Sequence, residues 1–474
     1  MELKAPDNEM GVAQYNMSFL WLICIVAAMG GLLFGYDWVV VGGAKAFYEP
    51  HFNITDETPF MRGWAMSSAL FGCIVGAIIS GALTDRFGRK RLLILSGLMF
   101  TVSAIMTALS WGFYSYNVAR IIGGLGIGLA SNLSPMFIAE VSPAHVRGRF
   151  VSINQLTIVI GILAAQIVNL LIAQPVPDDA TADFIRESWN GQTGWRWMFG
   201  AETVPAFLFF LLMFFVPESP RWLVKYGKYE QAEKILSRIG GATYGRKELV
   251  DIQQTISNEE VAKVNFSDLF EPKLFKILLL GVFLAVFQQW CGINVIFNYA
   301  QEVFVAAGYG VSEMMLNIVI TGIVNLVFTF IAIYTVDKLG RRPLMLIGAA
   351  GLAGIYAVLG TGYFLQSTGI HMLILVVLAI GCYAMTLAPI TWVVISEIFP
   401  NRIRGAAMSV AVFSLWIACT ALTLTFPYLK NALGAHGAFW TFSVISVVGF
   451  VTILFKLPET KSKSLEQIER ELVD

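Results

Sequence analysis

Charge is scarce in this chain. Only 14% of its 474 residues are Asp, Glu, Lys or Arg, against about 25% in a soluble domain. That excludes an ordinary water-facing surface over most of its length. Net charge is zero, so its magnitude selects no class of partner, and nucleic acid is not expected as one. Cysteine is sparse too. Cys24, Cys73, Cys291, Cys382 and Cys419 all fall inside apolar runs, without metal-ligand spacing and without pairing visible in loops. They read as buried thiols. No Walker phosphate loop is present, which leaves ATP-driven transport without support. Nor is there a nucleophile–base constellation or a metal set, so neither an enzyme nor a cofactor is expected. The tail Met1 to Ser18 is polar, holds acids and does not resemble a signal peptide.

Apolar residues are abundant: 57% of the chain is hydrophobic and the mean hydropathy is +0.69. Twelve apolar runs start near Phe19, Gly63, Leu92, Ser115, Val151, Trp195, Leu274, Met315, Leu344, His371, Gly405 and Ala438. Runs of about 20 residues exceed most buried core helices and match the thickness of a bilayer. The fold class expected is an all-α membrane protein of twelve transmembrane helices.

An internal repeat divides those helices. Asp85-Arg86-Phe87-Gly88-Arg89-Lys90-Arg91 recurs as Asp337-Lys338-Leu339-Gly340-Arg341-Arg342. Glu140, Pro143 and Arg147-Gly148-Arg149 recur as Glu397, Pro400 and Arg404-Gly405; Pro217-Glu218-Ser219-Pro220 recurs as Pro458-Glu459-Thr460-Lys461. Matched pairs in the same order imply two related six-helix halves, residues 1–216 and 274–457, and duplicated membrane halves usually build a transporter with its substrate between them. Between the halves, 217–273 mixes charge with helical spacing and reads as short amphipathic helices on the inner, cytoplasmic face of the membrane. The tail 458–474 is similar.

Placement of charge orients the chain. The turns after the second, fourth, eighth and tenth runs carry Arg86, Arg89, Lys90, Arg91, Arg147, Arg149, Lys338, Arg341, Arg342, Arg402 and Arg404. The opposite turns are poor in Lys and Arg and carry acids such as Glu49, Asp56, Asp178, Asp179 and Glu302. The positive-inside rule puts the basic turns and both termini in the cytoplasm. Absence of targeting signals fits a bacterial inner membrane, and the glycosylation triplet Asn53-Ile54-Thr55 is read as chance.

A charge at the centre of a spanning helix costs about 2.5–3.5 kcal/mol on insertion scales. Asp37, Arg120 and Glu202 stand inside apolar runs despite this. Asp37 and Arg120 can form a structural ion pair. Alternatively, burial raises the proton affinity of Asp37 while Arg120 lowers it, so that a change in their separation switches proton uptake. The second reading is favoured, while Glu202 is open to either a structural or a coupling role. The seventh run carries Gln288-Gln289-Trp290-Cys291-Gly292-Ile293-Asn294. Gly292 and Asn294 read as a break whose freed backbone faces a cavity. Neutral amides suit an uncharged polyhydroxylated ligand, although membrane amides also serve as interhelical glue. Gln155 and Asn325 in other runs add to the set, and Trp392 and Trp416 offer flat faces for stacking or for packing.

These motifs resemble those of the sugar porters of the major facilitator superfamily, particularly bacterial proton-linked xylose symporters and animal facilitative glucose carriers. The run Pro217-Glu218-Ser219-Pro220-Arg221-Trp222-Leu223 and the Gln288-Gln289 pair with Gly292-Ile293-Asn294 are the specific part; the basic turns are common to the superfamily. The resemblance implies sugar contacts at Gln155, Gln288, Gln289, Asn294, Asn325 and Trp392, with Phe34 and Trp416 lining the pocket. It implies a protonatable Asp37 partnered by Arg120. The facilitative carriers have a neutral residue there, which favours proton coupling over a uniporter. It further implies a cytoplasmic gating network of Asp85, Arg89, Glu140, Arg147, Glu218, Asp337, Arg341, Glu397, Arg404 and Glu459. Leu415 stands where relatives often carry an amide, and Ile162 where the xylose symporter carries a second Gln. The expected partners are a pentose or hexose, a proton and the lipid bilayer, with the monomer as functional unit. A sugar sensor without transport is disfavoured by the short tail from Lys461.

Overall fold

The computed structural model describes residues 15–177, 180–261, 269–400 and 403–461; the side chains of residues 82, 257–261, 336, 337 and 404 also lie outside the described set. Asp178, Asp179 and Arg402, and the side chains of Asp337 and Arg404, named above, therefore fall outside it.

The apolar runs are helices, and the described residues contain no strand. Among the described residues, ten helices are long and apolar enough to cross a membrane. The tenth runs from Arg404 to Lys456, 53 residues, or about 80 Å at 1.5 Å per residue, far beyond a hydrocarbon core of about 30 Å. It is broken at Gly434, whose φ of 68° is left-handed and suits a residue without a Cβ. It thus supplies the eleventh and twelfth spans. The sixth span is missed by length because it is assembled from pieces: Asn190–Gly194, a π turn, then Trp195–Gly200 and Thr203–Leu212. Twelve spans in two halves result, and the protein is integral to a membrane.

The halves meet mainly at the end opposite the basic turns. Val176 donates its N–H to Ser312 Oγ at 3.0 Å, and Asn431 Nδ2 donates to the Asp56 carbonyl at 2.9 Å. Gly42 of the first span (Met17–His51) lies so close to the seventh that a Cβ would press on the Phe297 carbonyl.

The segment between the halves forms Pro220–Lys225, Tyr229–Gly240 and Ala242–Val261. Trp222, Leu223, Val224 and Ala232 close a small apolar core of their own there. This layer docks on the first half, where the Asn16 N–H donates to the Ile239 carbonyl at 2.7 Å and the Tyr15 ring meets His145 at a tilt and Tyr244 edge-on.

All five cysteines are free thiols; Cys382 is half-buried and the others are buried.

Candidate functional site

Asp37 lies in the first span and Arg120 in the fourth (Phe113–Val141). Their side chains are only 2% and 3% exposed. Arg120 Nη1 donates to Asp37 Oδ1, and Nη2 donates to the Asp37 carbonyl at 3.1 Å. The second carboxylate oxygen, Oδ2, is buried with no partner among the described residues. A Cβ at Gly123 would sit 3.1 Å from that oxygen, so the glycine makes room for the carboxylate. Glu202 is buried at the joint between the two helices of the sixth span, within electrostatic range of both Asp37 and Arg120. A single mobile proton among these groups changes the charge of a buried cluster, which is a large perturbation where dielectric is low.

The amides collect on the other half. The seventh span stops at Trp290 and restarts at Ile293, with Gly292 between them at φ 93°, which is the break that the sequence suggested. Asn294 Nδ2 donates to Gln289 Oε1 at 2.6 Å, Gln289 Nε2 to Gln288 Oε1 at 3.3 Å, and Gln288 Nε2 to the Ala388 carbonyl at 3.2 Å. Ala388 follows the interruption of the tenth span at Thr386. The chain of amides is therefore self-satisfied yet built of groups that can exchange partners with hydroxyls. Phe34 and Trp416 meet across the halves with centroids 5.9 Å apart. Asn325 is buried, Gln155 half-buried and Trp392 exposed. Among the described residues no hydrogen bond joins these three side chains to the amide cluster.

The basic turns hold two matching networks. In the first half, Arg89 Nη2 pairs with Glu140 at 2.8 Å, Ser219 Oγ donates to the same carboxylate, and Glu218 accepts the N–H groups of Arg89 and Lys90 at 3.0 and 3.1 Å. Asp85 pairs with Lys225 at 2.9 Å. In the second half, Arg341 pairs with Glu397 at 3.3 Å, Thr460 Oγ1 donates to Glu397 at 2.6 Å, and Glu459 accepts the N–H groups of Arg341 and Arg342. In each half a glutamate caps the helix that starts after the basic turn, where the free N–H groups and the helix dipole favour an anion. Arg147 stays exposed, within electrostatic range of Glu248.

Glu459 lies outside the spans. Burial raises its pKa, but the N–H groups of Lys461, Arg341, Arg342 and Thr460 outweigh burial and hold it below the usual Glu value. A depressed folded-state pKa contributes stability that is present above the unfolded value and lost as pH falls through the folded one. Melts of Glu459→Gln and the unaltered protein should differ most near neutral pH and converge on acidification. A gap independent of pH would remove the charge from the account.

Sequence reasoning missed four residues. Trp38 stands one helical turn after Phe34 and completes an aromatic triangle, 5.9 Å from Phe34 and 6.1 Å from Trp416. Lys45 is fully buried and pairs with Glu302 of the second half, a residue read only as an acid in a turn. Asn298 follows Asn294 by one turn and lines a cavity with Asp37 and Arg120. For Lys45, the usable signal was the same charge-in-a-span rule that singled out Asp37. For Trp38 and Asn298, it was the i, i+4 spacing.

Facing halves of a helical membrane protein, one carrying a buried charge pair and the other an amide cluster, define a carrier. The chain belongs to the sugar transporter family, whose model, described as "Sugar (and other) transporter", matches residues 23–472. It is 40% identical over 457 residues to the arabinose-proton symporter of Bacillus subtilis (strain 168), covering 96% of each chain. Identity is also 40%, over 490 residues and 96% of each chain, to the D-xylose-proton symporter of Escherichia coli (strain K12). Among solved structures, the inward open conformation of the xylose transporter XylE from E. coli matches with a TM-score of 0.83 at 36% identity, covering 96% of this chain and 100% of that one. The proton:xylose symporter XylE bound to 6-bromo-6-deoxy-D-glucose gives 0.78 at 37% identity, over 97% and 100% of the two chains.

Proposed function

We propose that this chain imports a monosaccharide, a pentose such as xylose or arabinose or a hexose such as galactose, in symport with a proton. The observation that carries this reading is the buried pair of Asp37 and Arg120 in the half opposite the amides. Relatives named as proton symporters for arabinose, xylose and galactose support it. The functional units are a first half to residue 216, a helical linker to 273, a second half to 457 and a tail. The protein acts as a monomer in a bacterial inner membrane, with the basic turns and both termini cytoplasmic, and performs no covalent chemistry.

Protonation of Asp37 from outside releases Arg120 and favours sugar binding by Gln155, Gln288, Gln289, Asn294, Asn325 and Trp392, against the walls made by Phe34 and Trp416. The halves then rock, and the proton and sugar leave inside. Sugar moves with the proton only if the fully loaded and the empty carrier cross preferentially, which is a statement about populations. Asp85, Arg89, Glu140, Glu218, Arg341, Glu397 and Glu459, with Arg147, Arg404 and Asp337, form the cytoplasmic gate. Glu202 tunes the charge around Asp37.

Sugar-induced proton uptake in proteoliposomes tests the coupling; sugar entry without proton movement would leave a facilitative uniporter. Competition by a panel of pentoses and hexoses against one labelled sugar identifies the substrate. Gln289→Ala removes the centre of the amide chain. With about 0.5–1.5 kcal/mol per hydrogen bond, sugar affinity should fall roughly tenfold in the same competition assay, with the protein still folded.

A further inference from the structure

The cavity beside the charge pair crosses the seam between the halves. Asp37, Met66 and Arg120 line it from the first half, and Asn298 from the seventh span of the second. Asp37 is 1% exposed and Asn298 4%. Arg120 engages Asp37 through Oδ1 and the backbone carbonyl. The other carboxylate oxygen, Oδ2, and Oδ1 of Asn298 are both buried without a hydrogen-bond partner among the described residues.

As long as the Asn298 amide keeps its oxygen toward the cavity, two buried acceptors there are an unfavourable arrangement, because neither oxygen can satisfy the other. One proton resolves it. Placed on Asp37 Oδ2, it converts that oxygen into a donor, and a bond to Asn298 Oδ1, direct or relayed by one water, satisfies both groups. We propose that Asn298 is a positioning residue for proton coupling: neutral Asp37 donates to it, so that protonation ties the first half to the seventh span. This rests on the symport reading above. Asn298 closes the short helix Ile293–Asn298, in which Asn294 lies one turn earlier on the same face. Asn294 in turn donates to Gln289. Proton occupancy in one half thereby reaches the sugar amides of the other through a single helical turn.

The titratable groups facing Asp37 are Arg120 and Tyr116 of the fourth span, Cys73 of the second and Glu202 of the sixth. From the seventh span, Asn298 brings a neutral acceptor, and the next acid along, Glu302, is paired with Lys45.

The matched pair Asn298→Val and Asn298→Thr tests the proposal, since the two side chains share a shape and differ in one acceptor oxygen. A hydrogen bond to the neutral acid raises proton affinity, so its loss should move the pH of half-maximal gradient-driven uptake to the acid side. The expected shift for Asn298→Val is about 0.5–1 pH unit, or roughly 3–10-fold in proton affinity. Asn298→Thr should lie nearer the unaltered protein. D-xylose, L-arabinose and D-galactose are each used as the driven sugar in proteoliposomes, with equilibrium exchange measured alongside. Equal profiles for the Val and Thr variants, or a Val profile that coincides with the unaltered protein, would overturn the role of Asn298 while leaving symport intact. Loss of exchange and uptake together at every pH in Asn298→Val would overturn it as well. An unaltered protein that moves no protons with any of the three sugars sinks the symport reading and this proposal with it. Asn298→Leu, apolar and close in size to Asn, replaces the Val variant if the latter does not fold.

Discussion

Asp37→Asn is expected to abolish accumulation of sugar against a gradient while leaving sugar exchange largely intact. The amide matches the carboxyl in shape and can still accept from Arg120, but it carries no titratable proton. It therefore resembles the protonated carrier permanently. With coupling in place, one unit of inward proton gradient corresponds to about 1.4 kcal/mol, enough for roughly tenfold accumulation per proton. In the variant that ratio should fall to one, measured as the plateau of labelled sugar in vesicles under an imposed gradient. Arg120→Met should behave differently. It strands a carboxylate that is 1% exposed, and removing one partner of a buried pair costs about 3–5 kcal/mol, so that stability falls along with transport. A concentrative Asp37→Asn variant would remove Asp37 from the coupling step altogether.

The spans and their division into halves were legible because lipid imposes a length and a hydropathy on every crossing helix. The same rule picked out Asp37, Arg120 and Glu202, because charge in such a helix stands out. Two features escaped any length criterion. The sixth span is interrupted beside Glu202, and the last two spans run into each other across Gly434. The amide break at Gly292 was readable from local chemistry, since a glycine among polar residues in an apolar run has few other uses. Trp38, Lys45, Asn298 and Glu302 gain their meaning from the seam between halves. Lys45 and Glu302 lie 257 positions apart in the chain, and no periodicity within either segment reveals that they meet. Leu415 and Ile162, where the resemblance led one to expect an amide, are both buried.

Glu302→Gln carries the second large expected effect, because Glu302 begins a chain of charges that stitches the two halves at the end opposite the basic turns. Lys45, with a fully buried side chain, pairs with Glu302 and lies 3.5 Å from Glu49. Arg62 bonds Glu49 at 3.0 Å and also Asp56, and Lys430 approaches Asp56 at 3.6 Å. The path leaves the second half at Glu302, crosses four residues of the first and returns to the second at Lys430. Opening that end must pull Lys45 from Glu302 and from the face of Tyr299, 4.4 Å below it. Losing one partner of a buried ion pair costs about 3–5 kcal/mol. Because Glu49 remains beside Lys45, about 2–3 kcal/mol is expected for Glu302→Gln, a shift of roughly 30–150-fold toward the open arrangement. A thiol introduced by Met66→Cys, in the cavity beside Asp37, reports this through alkylation by an impermeant maleimide added from outside. Labelling should accelerate at least tenfold, by the same free energy. Adding Lys45→Met should return it toward the starting rate, since replacing a whole buried pair by neutral groups is often close to neutral in stability and the two changes touch one interaction. Labelling that ignores Glu302→Gln would mean that close backbone packing such as Gly42 against the Phe297 carbonyl, and not the charges, holds that end shut.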